Sequence, residues 1–291
     1  MPINRVGVRN VFIYNGATGD SLGGMRQNGS ITEAVFLEML GHVLLIVDTE
    51  FQVKARASQR IVSPTSNPLE PGDYDVYSDS AIELTNEVCV DRILSHSVSG
   101  REDRFRDGIR QRDGKCVLSG FLNLNADLND WSPFEAAHVF PLEKEDLWIH
   151  NNYDTWVTDM DAVTGPSKIN SCQNGLLIRR DLHTMFDNYL ISINPNDGYK
   201  ITVFNRDIFG LDGAILDPVC RVPTDPHRVS DEILRWHFRQ SVLANVKGAG
   251  APIYEHDFPP GTDMVKEVLE GPNGQGRLEM EIASRLRGFE V

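Results

Sequence analysis

The chain has 291 residues, 41% hydrophobic and 24% charged, with a formal net charge of −14. That balance is ordinary for a folded chain of about two domains. Four isolated cysteines and no C-x-x-C pair exclude a readable disulfide framework or zinc ribbon.

In chain order, residues 1–95 read as a small α+β domain, whose role the sequence leaves open. Residues 6–14 alternate apolar and polar positions and predict a strand, and the Gly/Asn/Ser-rich stretch 15–30 predicts a loop. A short capped helix over 32–40, a buried strand over 43–47 and strands over 51–61 and 73–77 complete the pattern. The glycines at 16–24 lack the G-K-[ST] ending of a phosphate loop, so they predict a flexible turn. A charged helix at 100–113 leads into a middle domain, 100–198. Residues 199–291 read as a mostly helical extension: a strand at 199–204, a helix from Ser230 to Val246 stopped by Gly248, Gly250 and Pro252, a turn at 259–261 and a last amphipathic helix at 276–286. The apolar run 43–47 is too short to cross a bilayer, and the first ten residues hold no signal-peptide core. An intracellular protein, nuclear or cytoplasmic and free of the membrane, is the expectation.

Charge speaks against strong polyanion binding. Residues 116–198 carry four Lys/Arg against twelve Asp/Glu, and the one locally basic stretch, 101–115, has six against four. Binding to nucleic acid is therefore expected to be weak and salt-sensitive, or to need help from a protein partner docked on the N-terminal domain.

Chemistry concentrates in three short segments: Glu135-Ala-Ala-His138-Val-Phe-Pro141, Asn174-Gly-Leu-Leu-Ile178 and Asp181-Leu-His183-Thr-Met-Phe-Asp187. His138 ends a strand-like run stopped by Pro141, and an imidazole is the natural base near neutral pH. Asn174-Gly175 is also the signature of a tight hairpin turn. Asp181 can cap a helix on which His183 and Asp187, four apart, share a face, offering one imidazole and one carboxylate to a cation. Arg179 and Arg180 precede that helix and, with Arg112, are candidate phosphate contacts.

The order and spacing of these segments, from the C-x-x-S-G element at Cys116 to about Asn194, resemble the HNH endonuclease family, the ββα-metal nucleases. Residues 234–250 also resemble fungal proteins that carry this nuclease module. The resemblance implies an α+β fold with a central ββα-metal core, and a hydrolase that cuts the phosphodiester bonds of DNA, favoured over RNA, leaving 5′-phosphate and 3′-hydroxyl ends. It assigns His138 as general base, Asn174 as the brace that orients it, and His183 with Asp187 as ligands of one divalent ion, Mg²⁺ first, with Mn²⁺, Ni²⁺ or Zn²⁺ as alternatives. Many members carry a ligand immediately before the base, where this chain has Ala137. Water then completes the shell, and Glu135 is a further candidate for ligand or support. The alternative is an inactive HNH-fold scaffold, which Ala137 and the acidic core favour. The long interval between His138 and Asn174 reads as a lid, a mask or a decorated loop.

Overall fold

The computed structural model describes residues 5–90, 92, 100–159, 166–247, 263, 265 and 266. The expected helix at 276–286, the turn at 259–261 and the stop at 248–252 lie outside them. The fold mixes helices and strands, and the chain divides into two units. One takes Met1–Asp91, Val203–Asp207 and Arg239–Val291; the other takes Arg92–Thr202 and Ile208–Phe238.

The first unit holds a four-stranded sheet in the order β2-β1-β5-β4. β1 (Val11–Asn15) pairs antiparallel with β2 (Ser21–Met25) and parallel with β5 (Gly72–Ser78), which pairs antiparallel with β4 (Phe51–Ala55). Val11 and Ile13, alternate residues of β1, are buried as the period-two pattern demands. α1 (Glu33–Met39) starts at Thr32, whose hydroxyl accepts the Val35 N–H. It packs Phe36 edge-on against Tyr74 of β5, ring centroids 5.3 Å apart.

Three expectations for this unit are corrected. The stretch 15–30 is not all loop, because it contains β2. Its glycines allow close approach: a Cβ on Gly24 would lie 2.5 Å from the Val11 carbonyl oxygen. The buried strand at 43–47 is mostly a widened helical turn over residues 40–44. Only β3 (Leu45–Ile46) follows, paired with β6 (Glu83–Leu84), and Ile46 is half exposed. The strand at 51–61 stops at Ala55, where the chain turns through Gln59 at positive φ and returns so that Ile61 bridges Lys54.

The second unit opens with α2 (Gly100–Asp113). β7 (Phe134–His138) pairs antiparallel with β8 (Gly175–Arg179), with Phe134 opposite Arg179 and His138 opposite Gly175. α4 (Arg180–Asp187) follows β8 directly; between the strands lies α3 (Glu145–His150). β9 (Ile191–Asn194) and β10 (Lys200–Val203) form a two-stranded sheet, and α5 (Asp231–Asn245) contributes its turns up to Phe238 to this unit. β8 reads Gly-Leu-Leu-Ile because it is buried on both faces, and Leu182 and Phe186 bury the inner side of α4. Burying each such side chain contributes about 1.5–3 kcal/mol.

Candidate active site

His138 is the last residue of β7. Its ring lies flat on Phe105 of α2, centroids 3.8 Å apart and planes 5° apart. Nε2 is 3.0 Å from the Asn170 side-chain oxygen. A carbonyl oxygen only accepts, so Nε2 carries the proton and Nδ1 holds the free lone pair. Among the described residues Nδ1 has no hydrogen-bond partner. Burial pushes this imidazole down to about 4; the Asn170 bond opposes that shift, and the positive charges of Arg92 and His183 add to it. At neutral pH the ring is an unprotonated acceptor.

Asn174 is fully buried just before β8. Its oxygen accepts the Phe140 N–H at 2.8 Å, and its amide donates to the carbonyls of Phe140 at 3.1 Å and Ile169 at 2.9 Å. It ties the segment leaving His138 to the segment carrying Asn170. The following Gly175 is extended (φ −151°, ψ 161°), not a hairpin turn. A glycine is needed there because a Cβ would meet the Phe105 ring at 2.3 Å and Ile109 at 3.0 Å.

His183 and Asp187 share the expected face of α4. Nδ1 of His183 is 2.6 Å from Oε2 of Glu135, and Nε2 is 3.1 Å from Oδ2 of Asp187. Burial pulls the imidazole down, but the bonds to Asp187 and Glu135 outweigh it and push it up to about 9. Burial likewise raises the Asp187 carboxyl, yet the charge of Arg92 and the bond to His183 hold it below the usual range. The His183 hydrogen bond lowers Glu135 despite its partial burial.

Arg92 joins the two halves of the site. Its Nη2 donates to the His138 carbonyl at 2.5 Å and stands 3.0 Å from Oδ1 of Asp187; its Nη1 donates to the Val139 carbonyl at 2.9 Å. The structure thus brings Glu135, His138, His183 and Asp187 together, with Asn174 bonded to the segment that follows His138.

The arginines named from sequence divide. Arg112 is buried and spent: Nε and Nη2 grip Asp113, and the other N–H groups serve the carbonyls of Cys172, His227 and Gly175. None of its five N–H groups is left for a phosphate. Arg179 pairs with Asp181 at 2.5 Å and lies over the rings of Phe121 and Phe209. Arg180, with a mostly exposed side chain, pairs with Glu135 at 2.9 Å. The interval 139–173 carries an aromatic cluster of Phe140, Trp148, Tyr153 and Trp156, and Trp148 is buried with its indole N–H on the Ser167 carbonyl.

Sequence reasoning missed Asn170, Arg92 and Phe105. None of the three carried a sequence signal of its own.

Residues 116–194 match the family described as HNH endonuclease. That HNH segment contains Glu135, His138, Asn170, Asn174, His183 and Asp187, whereas Arg92 and Phe105 come from outside it. Its presence supports a nuclease hydrolase acting on nucleic acids, a class that usually needs a divalent metal. Residues 8–83 match a family described as Domain of unknown function (DUF8573). No curated protein and no solved structure matches the chain. No helix among the described residues is long and apolar enough to cross a membrane.

Among the described residues no set of three His, Cys, Asp or Glu side chains converges as metal ligands. Two donors do fit. His183 Nε2 and Asp187 Oδ2 are 3.1 Å apart, close to the ~3.0 Å between adjacent ligands of an octahedral ion bound at 2.0–2.1 Å. Oδ1 of Asp187 is buried without accepting a hydrogen bond. Glu135 on Nδ1 is the carboxylate partner that orients a ligating histidine. Ligation by Nε2 requires it to give up its proton.

Proposed function

We propose that this protein is a divalent-metal-dependent endonuclease of the ββα-metal type, acting on DNA in preference to RNA. The observation that supports this reading is the run of contacts Glu135–His183–Asp187–Arg92–His138 carbonyl, which links the strand end that carries the imidazole to a pair of potential cation donors.

His138 takes the proton of the attacking water on Nδ1. Asn170 fixes the tautomer, and Phe105 and Asn174 hold the ring so that water meets the lone pair. The phosphodiester anion, on arrival, raises the basicity of a ring that burial had lowered. His183 and Asp187 would hold the ion, Mg²⁺ first, with Glu135 orienting His183 and water completing the shell. When bound, that ion supplies positive charge against the phosphate and the leaving oxygen. Of the three arginines named from sequence, Arg179 and Arg180 are exposed enough to meet backbone phosphates.

Plasmid nicking with Mg²⁺ or Mn²⁺, at low and moderate salt, tests the reading. His138→Ala should abolish cutting, with circular dichroism unchanged; undiminished nicking by the purified variant would falsify the assignment.

A second reading, an inactive scaffold, draws support from the balance of charge. His183 lies between two carboxylates and Arg92 stands on Asp187, so the cluster is neutralised without an ion. Calorimetric titration separates the two: a scaffold takes up no Mg²⁺, Mn²⁺, Ni²⁺ or Zn²⁺ in a His183-dependent manner.

A further inference from the structure

We propose that Arg92 is the resident counter-cation of this site: one guanidinium positions the base and the metal ligand together, and its charge limits how tightly that ligand holds a divalent ion. The inference rests on the nuclease reading above. Nothing in the HNH segment supplies this residue, which enters from ahead of α2.

The geometry is that of a shared anchor. A single nitrogen, Nη2, donates to the His138 carbonyl at 2.5 Å and faces Asp187 Oδ1 at 3.0 Å, while Nη1 holds the next carbonyl, that of Val139. The side chain is 6% exposed and lies against the rings of Phe186 and Tyr189, each 5.8 Å from the guanidinium carbon. Packing and hydrogen bonds therefore fix it on both sides. A shift of this group moves the backbone of the base and the carboxylate of α4 at once.

The contact with Asp187 is one of charge and not of a directed bond. Oδ1 lies near Nη2 yet accepts no hydrogen bond, so its lone pairs stay uncommitted. An arginine does not deprotonate in a protein, so the positive charge is permanent. With little water to screen it, that charge stabilises the carboxylate when no ion is bound and repels a divalent ion that would share it. Arg92 thus trades metal affinity for a pre-set geometry. A phosphodiester brings the negative charge that relieves the repulsion, so firm metal binding is coupled to substrate.

The test is a calorimetric titration of Mn²⁺ into the full chain, alongside cleavage kinetics, for wild type, Arg92→Gln, Arg92→Lys and His183→Ala. Glutamine removes the charge and, two bonds shorter, gives up the two-point grip on the His138 and Val139 carbonyls. It should tighten Mn²⁺ binding by roughly tenfold or more and lower kcat roughly 100-fold, through a misplaced base, with little change in KM. Lysine keeps the charge but not the fork, so Mn²⁺ affinity should stay close to wild type while kcat falls. A merely structural arginine would not move affinity and turnover in opposite directions. Arg92→Gln binding Mn²⁺ no more tightly than wild type, while His183→Ala abolishes binding, overturns the proposal. If Arg92→Gln does not fold, Arg92→Lys decides, and an unchanged kcat overturns it. Neither wild type nor Arg92→Gln binding Mn²⁺, or His183→Ala binding it as well as wild type, fells the nuclease reading instead, and the inference with it.

Discussion

Asn170 is the residue on which the proposed base depends most directly. Its carbonyl accepts the Nε2–H of His138, which leaves Nδ1 as the proton acceptor. Asn170→Ala should lower kcat about 10–100-fold, as loss of an orienting partner does, with Mn²⁺ affinity unchanged. Asn170→Asp tests the same contact from the other side. A carboxylate beside the ring favours imidazolium, so the acid limb of the pH–rate profile should move to higher pH. An acid limb identical to wild type would show that this contact does not tune the base. Asn170 was not legible in the sequence, because nothing in a 35-residue interval marks which amide returns to His138. His183 and Asp187 were legible as a pair because helical spacing alone puts i and i+4 on one face. Arg112 shows the opposite failure: a sequence reveals a cation but not the carbonyls and carboxylate that consume it.

At the scale of elements, the meeting of α2 with β8 is where packing and proposed chemistry join. Phe105 fills the space left by Gly175 and stacks on His138, ring centroids 3.8 Å apart. Gly175→Ala would set a Cβ 2.3 Å from that ring, and the ring cannot retreat without leaving the imidazole. The expected outcome is a loss of about 1–3 kcal/mol in stability from overpacking, with a drop in kcat larger than the change in KM. Denaturant titration and steady-state kinetics check the two halves separately; an unchanged kcat would uncouple Phe105 from the base. The elements that were legible are those whose own residues declare them. α5 has its acidic first turn and apolar period, and α1 has its Thr32 cap. β2 was hidden because Gly24 serves a close approach to β1, and glycine in a sequence reads first as a turn. Nor could sequence order show that residues 203–207 and 239–247 fall with the N-terminal unit, since contacts across more than a hundred residues leave no local pattern.

For the molecule as a whole, the histidines of the second unit predict a stability maximum near pH 6.5 in the absence of divalent ions. His138 is pushed down to about 4 by burial, and His237, stacked on Phe186 and bonded to Ser192, is also pushed well below 6.5 by burial. The unfolded chain binds their protons first, so stability is complete above pH 6.5 and falls as pH drops toward 4. His183 has the opposite sign. Raised to about 9, it stabilises fully below pH 6.5, and that contribution, on the order of 3 kcal/mol, is lost as pH rises through 9. Tryptophan fluorescence isolates this unit, because all four tryptophans (Trp131, Trp148, Trp156 and Trp236) belong to it. Urea midpoints measured in chelator from pH 4 to 10 should fall on both sides of neutrality, and His183→Ala should flatten the alkaline side while an acid limb from the buried His138 and His237 persists. Saturating Mn²⁺ should flatten it too, since a ligating Nε2 has already given up its proton. An alkaline limb that survives His183→Ala would mean that the imidazole between Glu135 and Asp187 does not carry the charge that these contacts assign to it.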